Sequence, residues 1–100
     1  MNLLVVDDEQ HVRDSIVYKI DRASNGIACI DEAEDGFEAL LCLKNKHYDV
    51  IITDIKMPEL DGLEFIKLAK SRGCKASFII VSGYNDFEYA RQSIRLGVVD

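Results

Sequence analysis

Short aliphatic runs that end in acids constrain this chain more than any other feature. Leu3-Leu4-Val5-Val6 runs into Asp7-Asp8-Glu9, and Val50-Ile51-Ile52-Thr53 runs into Asp54. Neither run alternates apolar with polar residues, so each reads as a short strand buried on both faces, as in a parallel sheet. Acids at such strand ends are poor core residues. Brought together, carboxylates repel one another unless a cation or a shared proton relieves them. A hard divalent ion with oxygen ligands is the natural relief. Mg²⁺ suits it best, because it accepts one or two carboxylates and keeps several waters.

Between the strands the periodicity becomes helical. Strand one is read over 2–6, followed by a helix over 10–23 with Val12, Ile16 and Ile20 on one stripe and Val17 beside it. Asn25-Gly26 closes that helix. Strand two is expected at Ile27-Ala28-Cys29-Ile30, and a helix from Asp35-Gly36 to Lys44 with Phe37, Leu40, Leu41 and Leu43 as its inner face. Strand three covers 49–53. Asp61, with Glu64 three residues on, caps a helix over 62–71 that Gly73 ends. Phe78-Ile79-Ile80-Val81 makes strand four, Asp86 caps a helix running to Leu96 that Gly97 stops, and Val98-Val99 begins strand five.

This alternation predicts an α/β fold, a flavodoxin-like doubly wound parallel sheet in the order 2-1-3-4-5, with the fifth strand and last helix largely missing. Ligands of such sheets sit beyond the carboxyl ends of the strands, where strand order reverses. Here that is between strands one and three, which carry Asp7, Asp8 and Asp54. Ser82, at the end of strand four, falls on the same rim.

One hundred residues make one domain. A formal charge of −6 argues against gripping nucleic acid by its phosphates. No run approaches the ~18 apolar residues of a membrane span, and no signal peptide is evident; the expected location is the cytoplasm. Cys29, Cys42 and Cys74 are odd in number and widely spaced, and read as buried free thiols.

A carboxylate beside Mg²⁺ can attack a phosphoryl group and form an aspartyl phosphate. Asp54 stands alone at its strand end and is the candidate nucleophile. Asp7 and Asp8 would hold the ion, and the Ser82 hydroxyl would bind a phosphoryl oxygen. Taken singly, such acids are more often helix caps, and Asp8 could cap the first helix. Four suitable residues on one rim are not well explained by capping.

These residues carry a resemblance. Val5-Val6-Asp7-Asp8-Glu9, Asp54-Ile55-Lys56-Met57-Pro58 with Asp61-Gly62, and Val81-Ser82-Gly83 resemble the receiver domain of two-component response regulators along the whole chain. The resemblance implies that Asp54 accepts a phosphoryl group from a sensor histidine kinase. It implies that Asp8 ligates Mg²⁺ directly, Asp7 through water and Lys56 through its backbone carbonyl. Ser82 would be the switch hydroxyl, while Lys56 and Tyr84 would tune phosphate loss and Pro58 would shape the loop. It also implies a phosphoacceptor and not an enzyme, with at most slow self-dephosphorylation. Residues 83–90 resemble receivers joined to AraC-type DNA-binding domains, which points to a transcriptional output outside this chain. Tyr84, Phe87 and Tyr89 are read either as a docking surface for that output or for self-association, through the helix-four region, or as loop packing.

Receivers normally carry a lysine just after strand five, and this chain reaches Asp100 before that position. Residues 1–100 are therefore expected to be an incomplete receiver, either a piece of a longer protein or a fragment completed by a partner chain. Loss of the last helix is expected to uncover strands three and four and to impair coupling of phosphorylation to conformational change. Three alternatives stand beside this. A haloacid dehalogenase-like phosphatase would carry D-x-D after its first strand, where this chain has adjacent Asp7 and Asp8. A flavodoxin-like cofactor binder needs a Gly- and Ser/Thr-rich first loop. A pseudo-receiver would act only through protein contacts. His11 reads as an exposed, solvated residue and His47 as a loop residue before strand three.

Overall fold

A computed structural model describes residues 1–23 and 26–81. The elements are β1 (Asn2–Val6), α1 (Gln10–Ala23), β2 (Cys29–Ala33), α2 (Gly36–Asn45), β3 (Val50–Asp54), α3 (Gly62–Ser71) and β4 (Ser77–Val81). The strands form one parallel sheet in the order β2-β1-β3-β4. Right-handed crossovers in that order send α1 to one face of the sheet and α2 and α3 to the other. The expected strand five, the helix before it, Ser82, Tyr84, Phe87 and Tyr89 lie outside the described residues, as does Asn25.

The core follows the pleat. Leu4, Val6 and Ile51 join Ala39, Leu40, Phe65, Ile66 and Phe78 in a single cluster beneath α2 and α3. Leu3, Val5 and Ile52 are also buried, and alternation turns them to the α1 face. Burial on both sides explains why β1 and β3 read as unbroken aliphatic runs. Phe65 and Phe78 meet edge to face, with ring centroids 6.2 Å apart, and lock α3 onto β4.

The caps follow from local chemistry. Asp35 Oδ1 accepts from the Glu38 N–H at 2.7 Å, and Asp61 Oδ1 accepts from the Glu64 N–H at 2.9 Å, each satisfying a helix-end donor. Gly73 takes φ +86° just past α3, where a left-handed residue closes the helix.

Several expectations are corrected. β2 spans Cys29–Ala33 and not 27–30. Its acidic Asp31 and Glu32 look unlike a strand, but β2 is an edge strand whose acids find partners: Glu32 meets Arg13, and Asp31 meets Lys46 and Tyr48. β3 spans Val50–Asp54 and not 49–53, so that Asp54 is its last residue. Phe37 and Leu41 are not on the inner face of α2; they are 52% and 58% exposed. The buried stripe is Gly36, Ala39 and Leu40, with Leu43 packed beside it, and Phe37 and Leu41 fall one stripe over. The cysteines are free but only half-buried.

Candidate functional site

Register brings the acids together. Val6 pairs with Thr53 across β1 and β3, so Asp7 and Asp54 emerge side by side at the carboxyl ends of adjacent central strands. Carboxylate oxygens of Asp7, Asp8 and Asp54 all lie within 4.8 Å of one another. Asp7 is buried, Asp54 half-buried and Asp8 exposed, so the cluster grades from core to solvent.

Each carboxylate is aimed by backbone. Asp7 Oδ1 accepts from the Glu9 N–H at 2.9 Å, and Asp54 Oδ1 accepts from the Ile55 N–H at 2.8 Å. Asp8 does not cap α1. The first helical bonds run to the Glu9 carbonyl, from Val12 and Arg13 at 3.2 Å each, which places Asp8 one residue too early.

The electrostatics show the cost of this convergence. Burial, then the charge of Asp7, pushes the Asp54 carboxyl up from 3.8 to about 6. Burial also raises Asp7, against the lowering effect of its bond from Glu9, and Asp8 and Glu9 add to the rise. Among the described residues these acids are the one group of three or more potential metal-ligating side chains placed to share an ion. An all-oxygen, anionic donor set that resists ionising fits a hard divalent cation.

Of the supporting residues, Arg13 and Thr53 were not evident in the sequence. Arg13 is 7% exposed and donates to the Asp7 backbone carbonyl at 2.5 Å, to Glu32 at 3.1 Å and to Gln10 at 2.6 Å. It ties the acidic loop to α1 and β2. Thr53 is fully buried, and its hydroxyl donates to the Asp54 carbonyl at 2.9 Å. Gly62 donates its N–H to the Ile55 carbonyl at 2.7 Å, drawing α3 against the end of β3. The Asp-Gly pair at 61–62 was a visible signal for Gly62. Arg13 had none beyond its place in a helix, because its value depends on contacts far apart in sequence.

Lys56 is exposed and immediately follows Ile55 in the loop after Asp54. Further along, Glu59 takes φ +68° and the Leu60 N–H donates to the Pro58 carbonyl at 2.7 Å. This tight, strained turn drives Leu60 into the core against Gly36. Pro58 therefore does sit in the segment that shapes the loop.

Comparison with known proteins agrees with this geometry. The response regulator receiver domain model matches residues 3–100, and the chain belongs to that family. It is 38% identical over 96 residues to the uncharacterised transcriptional regulatory protein YesN of Bacillus subtilis, covering 96% of this chain and 26% of that protein. The chain thus spans about a quarter of that relative's length. A response regulator receiver protein from Pseudomonas putida superposes with a TM-score of 0.87 at 33% identity, covering 99% of this chain and 81% of that one. A two-component transcriptional regulator AraC from Clostridium phytofermentans gives a TM-score of 0.78 at 35% identity, covering 91% and 73%. Receiver domains are phosphoacceptor signalling modules that work with histidine kinases and output domains. No helix among the described residues is long and apolar enough to cross a membrane.

Proposed function

We propose that Asp54 is the phosphoacceptor of this receiver, taking a phosphoryl group from the phosphohistidine of a sensor kinase in the cytoplasm. The convergence of Asp7, Asp8 and Asp54 to within 4.8 Å at the switch point of the sheet carries the reading. Asp7, Asp8, Asp54 and the Lys56 backbone carbonyl would hold Mg²⁺, which when bound neutralises negative charge on the carboxylates and the phosphoryl oxygens.

The chain's own residues do the rest. The Ile55 N–H fixes one oxygen of Asp54, holding the carboxylate at the strand end. The carboxylate attacks phosphorus, the new O–P bond forms, and the P–N bond breaks with its electron pair returning to the imidazole. Positioning supplies most of the acceleration, and the elements that fix Asp54 are Thr53, Gly62 and the buried sheet. Ser82 would then bind a phosphoryl oxygen as the switch hydroxyl. Loss of the phosphoryl group would be slow self-dephosphorylation, tuned by Lys56 and Tyr84. The relative and the solved structure that carry transcriptional names support a transcriptional output domain as the eventual partner.

Incubation with acetyl phosphate and Mg²⁺, followed by intact-mass measurement, tests the proposal. One phosphoryl group should appear on the wild type and none on Asp54→Asn. Persistence of the same adduct in Asp54→Asn would place the acceptor elsewhere.

A further inference from the structure

At the opposite end of the sheet from Asp54, a second polar cluster joins β2 to the end of α2. Lys46 Nζ lies 2.7 Å from Cys29 Sγ and 3.1 Å from Asp31 Oδ2. Cys29 Sγ lies 3.3 Å from Asp31 Oδ1, and the Tyr48 hydroxyl donates to Asp31 Oδ2 at 2.6 Å. One carboxylate, anchored by Tyr48, thus holds an amine and a thiol against each other.

The nitrogen–sulfur separation is the informative quantity. Nitrogen–oxygen hydrogen bonds centre near about 2.9–3.0 Å. Sulfur is the larger atom, so an ordinary N–H···S bond is longer still. At 2.7 Å the Lys46 amine and the Cys29 thiol are held in tight contact. A single oxygen atom placed between nitrogen and sulfur would bridge them with little movement of either side chain. Cys29 is only half-buried, and the side chains of Lys46 and Asp31 are 37% and 34% exposed. Lys46 and Tyr48 also line a cavity of about 540 Å³, which gives solvent access to the amine side of the cluster.

We propose that Cys29 and Lys46 form a peroxide-driven, thiol-reversible N–O–S bridge that fastens β2 to the C-terminal end of α2. In the first step the Cys29 sulfur attacks one hydrogen peroxide. The O–O bond breaks, an S–O bond forms, water leaves, and the thiol is oxidised by two electrons to a sulfenic acid. In the second step an N–O bond forms between Lys46 Nζ and the sulfenic oxygen. A second peroxide takes up the two electrons and, with the hydrogens lost from nitrogen and oxygen, leaves as two waters; the extra proton of the ammonium passes to solvent. The product has gained one oxygen and lost two hydrogens relative to the neutral thiol and amine. Excess thiol reverses both steps and regenerates Cys29, Lys46 and one water.

The test is intact-mass and peptide mapping of the full chain in a Cys42→Ser/Cys74→Ser background, which removes the disulfide routes. Treatment with hydrogen peroxide should give a mass gain of one oxygen less two hydrogens, a linked peptide pair containing Cys29 and Lys46, and loss of tryptic cleavage after Lys46. Dithiothreitol should restore the original mass. Cys29→Ser and Lys46→Arg, both at partly exposed sites, should each abolish the shift completely. Gains of whole oxygen atoms with Lys46 still open to acylation would overturn the proposal, as would an unchanged mass or an intact shift in Lys46→Arg. Because the pair stands away from the acidic rim, phosphorylation of Asp54 reports separately on the other site.

Discussion

Gly62 sits flat against the backbone carbonyl of Asp54, so close that a β-carbon on residue 62 would fall far inside contact distance of that oxygen. The neighbours are backbone, which cannot swing away as a side chain can. The start of α3 is thereby fitted to the end of β3.

Gly62→Ala is expected to destabilise the chain by at least about 1–3 kcal/mol through overpacking, and to weaken Mg²⁺ binding by moving the loop after Asp54. Gly73→Ala is the matched control, since φ +86° strains it but nothing lies within 4 Å of the added carbon. It should cost about 1–2 kcal/mol and leave Mg²⁺ binding unchanged. Urea unfolding and calorimetric titration of both variants check this. Equal Mg²⁺ affinities in the two would show that Gly62 does not support the site.

Asp54 should make stability fall as pH rises. Its folded carboxyl lies at about 6, above the ordinary 3.8. Below 3.8 the group is protonated in both folded and unfolded chains and exerts no penalty. Between those values the unfolded chain releases its proton first, so stability is lost as pH climbs through about 6, and the loss is complete above it. In metal-free buffer, Asp54→Asn should be more stable than wild type by ~1–2 kcal/mol near neutrality, a figure reduced from the full shift for partial solvent exposure. The two proteins should converge near the acid end. A constant difference across the range would contradict the assignment.

Mg²⁺ should stabilise the folded chain, because a site built at the junction of β1 and β3 does not exist in the unfolded one. At about 100 times Kd the gain is about 2.7 kcal/mol, seen as a rise in Tm. Asp7→Asn and Asp54→Asn should each remove most of it. If both respond to Mg²⁺ like wild type, the ion binds somewhere else.

Arg13 holds the acidic loop through the Asp7 carbonyl while also meeting Glu32 and Gln10. Charged hydrogen bonds of this kind contribute ~1.5–3 kcal/mol when their partners are buried. Glu32 is partly exposed, so Arg13→Met should cost about 2–3 kcal/mol in chemical denaturation. Arg13→Lys should recover less than half, since one ammonium cannot span the three acceptors of a planar guanidinium. Full recovery by lysine would reduce the residue to a point charge.

Local chemistry determined much of this protein. The β-branched runs at 3–6 and 50–53 make strands because they suit a two-faced buried sheet, and Asp61 with Glu64 starts a helix through a single side-chain bond. Strand and helix alternation is enough to place Asp7, Asp8 and Asp54 on one rim, since right-handed crossovers leave few topologies.

Tertiary structure decided what depends on distant neighbours. Edge-strand β2 keeps Asp31 and Glu32 only because Tyr48, Lys46 and Arg13 fold back onto it. Ala39 and Leu40, not Phe37 and Leu41, face the core because the phase of α2 is set where Leu60 packs so closely on Gly36 that a β-carbon there would fall 2.7 Å from its side chain. Arg13, Thr53 and Gly62 gain their roles from three-dimensional contacts: a buried guanidinium, a buried hydroxyl and a missing β-carbon acquire meaning only from what packs against them.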